Sequence, residues 1–420
     1  MNAHLIRLPA LILSLAAAGC QLIPERAPEP EPPPPPPVIH EPVATHEFQI
    51  DEHTDVVGML QVTKVEGEDT LLDIARRFNV GYEEIVRANP GVDPWLPGVG
   101  REIYVPTQFV LPNAPREGIV INLAQLRAFY FPKAKKGEPQ TVITHPIGIG
   151  KVGWETPVGT TKVRAKAKNP TWFPPASVRQ EHLEDGEKLP AKVPPGPDNP
   201  LGTHVMTLGW PSYLIHGTNK PYGVGLRSSH GCIRFYPEDI VGLYERVPVG
   251  TKVTVVNQPF VFGWRDGQLY VQAFPILEDD EREHPKGAEA LLNAAISDEM
   301  WQRIRENGVT IDLALVDALI AEPRGIAVPV SKPQLTLDSY LAAARRVENR
   351  VPDGATWDGS DEMVYTAEEW EARLRKNALK SAKADETEQA PAKKQKVAAP
   401  ASAKKSAGQA VSAGAPVGSR

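Results

Sequence analysis

Cysteine is nearly absent: the 420 residues contain two, Cys20 and Cys232. A disulfide-stapled scaffold is therefore excluded, as is a zinc site built on C-x-x-C repeats. Long apolar runs are missing as well. The most apolar stretch, LPALILSLAAA near the N-terminus, is too short for the roughly 20 residues that a membrane-spanning helix needs. Charge of either sign is not in large excess, with a net of −6. With 41% hydrophobic and 23% charged residues the composition is that of ordinary soluble domains, and no nucleic-acid partner is expected. What the chain has in surplus is proline, 43 residues, about twice the usual ~5% share.

The N-terminus reads as an export signal. His4 and Arg7 precede the short apolar core, and the small-residue run AAGC ends at Cys20. That ending resembles a bacterial lipobox, in which the cysteine is acylated and becomes the new N-terminus, although Ala17 stands where such boxes more often carry leucine. Gln21 after the cysteine then implies sorting to the outer membrane. We therefore expect a lipoprotein signal peptide over 1–20 and a periplasmic protein lipid-anchored through Cys20, in the inner leaflet of the outer membrane. Residues 21–57, with PEPEPPPPPP ahead of Val38, read as an extended, semi-rigid linker.

A compact unit is expected over 60–107. A short strand at Val62 to Val65 precedes Leu71, Leu72, Ile74, Ala75 and Phe78 at helical spacing, with Asp69 or Thr70 as the cap. A second apolar run stops at Asn89-Pro90-Gly91, and REIYVP closes the unit as a strand. Residues 116–257 change texture to β-branched runs: IVINLAQLRAFYF, TVITHPIGIG, GTTKVRAKAK, HVMTL and TKVTVV read as strands. Within TKVRAKAK, period two places Lys162, Arg164, Lys166 and Lys168 on one strand face, solvated or facing an anionic polymer. Beyond Phe260 the pattern turns helical, so a mostly helical extension is expected over 258–376, its last helix following a capping box at Thr366 to Glu369. The tail 377–420 carries eight Lys and Arg against three acids and reads as disordered.

Chemistry concentrates in YLIHGTNKPYGVGLRSSHGCIRF, residues 213–235. A thiol reacts as its thiolate, which is scarce at neutral pH unless a base takes the proton. His216 and His230 both qualify. The turn-rich segment between His216 and Cys232 allows a loop to bring them together, and the apolar residues before His216 suggest that it ends a buried strand. Gly231 permits a tight bend and leaves backbone N–H groups open to a developing oxyanion. Arg234 shares a face with Cys232 if the segment is extended, and suits a carboxylate. One cysteine and two histidines without a second cluster fit zinc poorly.

The run IHGTNKPYGVGLRSSHGCIRF closely resembles the signature of YkuD-type L,D-transpeptidases: a histidine, then Ser/Thr-His-Gly-Cys about fourteen to seventeen residues on. PIGIGKVGWETPVGTTKV and NPLGTHVMTLGWPSYLIHGT resemble the same family, and the 60–107 unit resembles LysM, a small module that binds N-acetylglucosamine-containing glycans. The resemblance implies an α+β multidomain chain: a small α+β LysM-like unit, a mostly β YkuD-like catalytic domain over 116–257, then the helical extension and disordered tail. It implies Cys232 as nucleophile, His216 as base and Gly217 as the residue whose carbonyl orients that base. His230, Gly231, Ser229 and Tyr213 are implied at the pocket and oxyanion site, and Arg234 at the substrate. Gly67, Asp69, Thr70, Asn89 and Pro90 are the candidates for glycan contact. The implied reaction transfers a peptidoglycan stem acyl group from D-alanine to an amine, either of another stem or of an outer-membrane lipoprotein lysine, with no cofactor or metal. A carboxypeptidase or amidase using water, and a non-catalytic wall–membrane tether, are the alternatives.

Overall fold

The computed structural model describes residues 46–352, except Asp185, and Ala355. The signal segment, most of the linker, the capping box at Thr366 and the basic tail lie outside the described residues. No helix among those described is long and apolar enough to cross a membrane.

The first described residues correct the linker boundary. Residues 46–57, expected to be extended stalk, belong to the folded body as β1 (Glu47–Ile50) and the start of β2 (Val56–Gly58). Phe48 and Ile50 recur at period two and face the core, and His46 is buried, its Nε2 2.9 Å from the Phe78 carbonyl. The 60–107 unit has the expected order: β3 (Gln61–Lys64), α1 (Leu71–Arg77), α2 (Tyr82–Ala88) and β4 (Glu102–Val105), followed by β5 (Gln108–Val110), which pairs with β2. Thr70 caps α1 in a reciprocal box with Asp73. Leu71, Ile74, Phe78, Ile85 and Ile103 are fully buried between the helices and the β3–β4 pair.

The expected strands of 116–257 are present: β6 (Gly118–Asn122), β7 (Arg127–Phe131), β8 (Gln140–Pro146), β9 (Ile149–Gly150) and β10 (Gly159–Lys168). A helix, α3 (Ala176–Glu184), interrupts before β11 (His204–Leu208), β12 (Leu214–His216), β13 (Arg227–Ser229) and β14 (Ile233–Arg234). A second helix, α4 (Pro237–Arg246), packs on β11 before β15 (Lys252–Val256). Nine strands form one sheet in the order β1-β8-β7-β6-β15-β10-β11-β12-β14, so β14 is an edge strand. Its core holds Ile119, Ile121, Met206, Ile215, Ile233, Phe235 and Val253, all fully buried.

The cationic stripe on β10 is broken. Val163 pairs with Leu208 and Ala165 with Thr207, so a bulge at Arg164 adds one residue and reverses the faces beyond it. Lys162 stays outward, while Lys166 turns to the C-terminal end of α4, donating to the carbonyls of Tyr244 and Val247 and lying 4.2 Å above the Tyr244 ring. Lys168 pairs with Glu245 on the same helix.

Over its described residues, 258–352 and Ala355, the extension mixes helices with strands rather than being mostly helical. Phe260 opens a hairpin, β16 (Phe260–Arg265) and β17 (Gln268–Ala273), joined by Asp266-Gly267 with φ of 51° and 75°. Positive φ at both positions matches the twist of a two-residue hairpin turn. Then come α5 (Ala288–Ala295), α6 (Asp298–Glu306), α7 (Leu313–Ala321), β18 (Ala327–Pro329), α8 (Leu337–Ala342) and β19 (Arg345–Arg346). β19 pairs in parallel with β3, completing the sheet of the 60–107 unit, and β18 pairs with β17. The extension therefore closes back on the N-terminal unit.

Candidate active site

β12 and β14 run parallel in register, Ile215 opposite Ile233 and His216 opposite Arg234. The two isoleucines are fully buried on one face, which puts His216 and Arg234 together on the other. Cys232 immediately precedes β14, one alternation before Arg234, and so shares that face. Its sulfur lies 3.7 Å from the Ser212 carbonyl, and the Leu214 amide also turns to it. The thiol and the imidazole are thus diagonal neighbours on one surface, with Cα atoms on the order of 8 Å apart from ordinary strand spacing and rise.

His216 is 3% exposed, and its Nδ1 lies 2.6 Å from the Gly217 carbonyl. A carbonyl only accepts, so the proton sits on Nδ1 and the Nε2 lone pair is free. Burial, reinforced by the Arg234 charge, pulls His216 down to about 3, while the bond to Gly217 opposes this. Burial also pushes the half-buried Cys232 thiol up, with the Leu214 amide and Arg234 acting the other way. At rest, then, burial favours the neutral thiol and a neutral imidazole that carries its proton on Nδ1.

The loop before the nucleophile is held at several points. The buried Ser229 hydroxyl donates to the Cys232 carbonyl at 2.6 Å. Gly231 has φ +93°, and a Cβ there would come within 2.8 Å of the Tyr213 ring, so the bend accepts only glycine. The Gly231 carbonyl accepts from Thr156, whose hydroxyl oxygen in turn accepts the Gly150 amide. The Tyr213 hydroxyl donates to the Glu155 carbonyl at 3.3 Å. His230 Nε2 lies 2.9 Å from Glu181 Oε2, and the Trp154 ring meets the imidazole edge-on at 4.9 Å. Arg234 Nη1 reaches Ser228 at 3.3 Å, leaving its Nε buried without a hydrogen-bond partner among the described residues.

All eight residues expected around Cys232 therefore lie in one neighbourhood: Cys232, His216, Gly217, His230, Gly231, Ser229, Arg234 and Tyr213. The glycan candidates fare differently. Asn89 is buried and its amide ties Ile85 and Tyr104, Asp69 pairs with Arg77 and Asn349, and Thr70 caps α1. Those three side chains carry structure, while Gly67 and Pro90 remain exposed. Cys20 lies outside the described residues. Sequence reasoning missed Glu181, Lys151, Trp154 and Thr156. Trp154 and Thr156 stand in the family-like run before β10, whereas α3 has no apolar period to announce Glu181. Among the described residues no cluster of His, Cys, Asp and Glu could hold a metal ion.

Residues 116–255 match the YkuD family, described as the L,D-transpeptidase catalytic domain. "Probable L,D-transpeptidase YbiS" of Escherichia coli strain K12 is 44% identical over 230 residues, 54% of this chain and 74% of that protein. "Probable L,D-transpeptidase YcfS" of the same strain is 41% identical over 247 residues, 57% of this chain and 76% of the relative. "Probable L,D-transpeptidase ErfK/SrfK", also of that strain, is 36% identical over 284 residues, covering 67% of this chain and 89% of its own length.

Proposed function

This chain belongs to the L,D-transpeptidase family, enzymes acting on peptidoglycan, and we propose that Cys232 carries the acyl group with His216 as its base. The observation behind this reading is the His216 tautomer: the Gly217 carbonyl holds the proton on Nδ1, so Nε2 is left to accept the thiol proton on the face that Cys232 shares. The sulfur attacks the amide carbonyl between the third residue of a stem tetrapeptide and its D-alanine, forming a C–S bond while the thiol proton passes to Nε2. The C–N bond breaks, the imidazolium returns the proton to the departing D-alanine amine, and a thioester remains. An acceptor amine then attacks the thioester carbonyl, forming a C–N bond and losing a proton to His216; the C–S bond breaks and the imidazolium returns that proton to the departing sulfur, restoring the thiol. Backbone amides beside Gly231 stabilise the oxyanion, and Arg234 contributes positive charge beneath the substrate.

We further assign the 60–107 unit to glycan binding as a LysM-like module, supported by its β-α-α-β order and by the exposed Gly67, Pro90, Leu96 and Val99 along its loops. Acylation at Cys20 would tether the enzyme to the outer membrane beside the wall, where a stem amine or a lipoprotein lysine serves as acceptor. The test is the intact mass of the protein after incubation with disaccharide-tetrapeptide. We expect an adduct on Cys232 with release of D-alanine, absent from Cys232→Ala, and product masses that identify the acceptor. D-alanine release undiminished in Cys232→Ala would refute the assignment.

A further inference from the structure

Between β10 and β11 the chain leaves the sheet for residues 169–203 and returns. The neck is locked: Asn169 N–H donates to the Thr203 carbonyl at 2.7 Å, Trp172 and Val193 exchange two backbone bonds, and the buried Asn199 amide donates to Pro170, Val193 and Pro194 carbonyls. The tip, α3, has no comparable anchor. Val178 is its only buried residue, and Leu183 and nearby Phe173 are 55% and 66% exposed. Apolar packing of one side chain is a weak hold for nine residues.

What reaches across from α3 is a carboxylate. Glu181 Oε2 meets His230 Nε2 at 2.9 Å, and Oε1 pairs with the Lys151 ammonium. Both partners belong to the catalytic loops: His230 stands two residues before Cys232, and Lys151 follows β9, its amide bonded to the Ser229 carbonyl. We propose that Glu181 is a positioning residue for acyl transfer, clasping His230 and Lys151 so that the tip of the 169–203 excursion and the Ser229–Cys232 loop are held as one surface. The carboxylate accepts the Nε2 proton of His230, which fixes that tautomer and, with the Trp154 edge contact, fixes the ring plane. Holding both partners with one group leaves the carboxylate little freedom, so the excursion and the nucleophile loop move together or not at all.

This role rests on the transpeptidase reading and is tested on the full chain with disaccharide-tetrapeptide, measuring D-alanine release, with alkylation of Cys232 by iodoacetamide as a substrate-free readout. Glu181→Ala is expected to lose roughly 10- to 100-fold in kcat/KM, the scale of a misplacement of about 1 Å. Its alkylation rate and Tm should stay near wild type. Glu181→Gln keeps an acceptor for His230 and should recover most of that loss. Turnover by Glu181→Ala equal to wild type overturns the clasp. So does a matching fall in alkylation and Tm, which would mark a merely structural residue. A wild type that releases no D-alanine overturns the clasp together with the parent reading, whereas unchanged Glu181→Ala turnover on an active wild type overturns the clasp alone.

Discussion

At the scale of single residues the site was largely legible, because its chemistry is carried by rare residue types at fixed spacing. One cysteine in a chain otherwise poor in thiols, with two His-Gly steps around it, has few structural uses, and the structure brings His216 onto the strand paired with β14 while His230 stands two residues before Cys232. The tautomer of His216 and the state of the thiol were not legible, since they depend on burial and on carbonyls brought in by folding. Those two features make a prediction about pH. Burial holds the Cys232 thiol above its ordinary value, so the thiolate fraction grows only as pH climbs into the alkaline range. Iodoacetamide alkylation of the free enzyme should rise continuously above about pH 8, with no plateau at lower pH. A plateau between about pH 5 and 7 would instead reveal a resting thiolate–imidazolium pair. His216→Ala should lower acylation by the tetrapeptide by about 10²- to 10⁴-fold, the usual contribution of a positioned base.

Elements were legible where local pattern and tertiary environment agreed, and not elsewhere. The strands of the catalytic sheet announce themselves by β-branched runs, and β12 by the apolar residues that lead to His216. α4 was readable in retrospect: Pro237 at the first position, Glu238 and Asp239 in the first turn, and Ile240, Leu243 and Tyr244 at helical spacing. The β16–β17 hairpin carries an Asp-Gly turn, yet the helical run downstream masked it. α3 offers no period at all, and the bulge in β10 is visible only through its pairing. The loop between His216 and Cys232 owes its course to another element, the N-terminus of α2. Tyr82 and Glu83 amides donate to the Val224 and Gly225 carbonyls at 3.2 Å. Gly225 has φ +83°, and a Cβ there would stand 2.2 Å from the Tyr82 nitrogen. Gly225→Ala should therefore push the loop away from α2 and reduce kcat/KM by about tenfold or more. Gly242→Ala is the control, since it lies inside α4 with open space around it. There the change should raise stability by roughly 0.5–1 kcal/mol and leave turnover alone, as thermal denaturation and D-alanine release would show.

Across the whole molecule, the reading of separate modules in series gives way to units that brace one another. The decisive contact is between Glu84 on α2 and Arg127 on β7. Arg127 has no exposed surface, and its guanidinium meets the carboxylate twice, at 2.8 and 3.0 Å, while also reaching the Asn79 carbonyl and Thr144. It lies 3.9 Å over the Phe109 ring, and Glu84 accepts the Gly81 amide that opens α2. No reading of 60–107 or 116–257 alone could find this pair, because each partner looks like a surface charge within its own element. Burial makes the pair asymmetric in its consequences: the intact pair adds little over a well-packed apolar one, but either charge alone is stranded without water. Glu84→Met and Arg127→Met should each cost roughly 3–5 kcal/mol in urea denaturation, whereas the double change to Met at both positions should cost clearly less than the sum of the single changes. Additive losses would mean that the two side chains act independently and that the N-terminal unit is held by its other contacts, among them Arg76–Glu238 and Asn79–Asp239. Coupled losses, with turnover falling alongside stability, would show that docking this unit is part of how the loop between His216 and Cys232 keeps its shape.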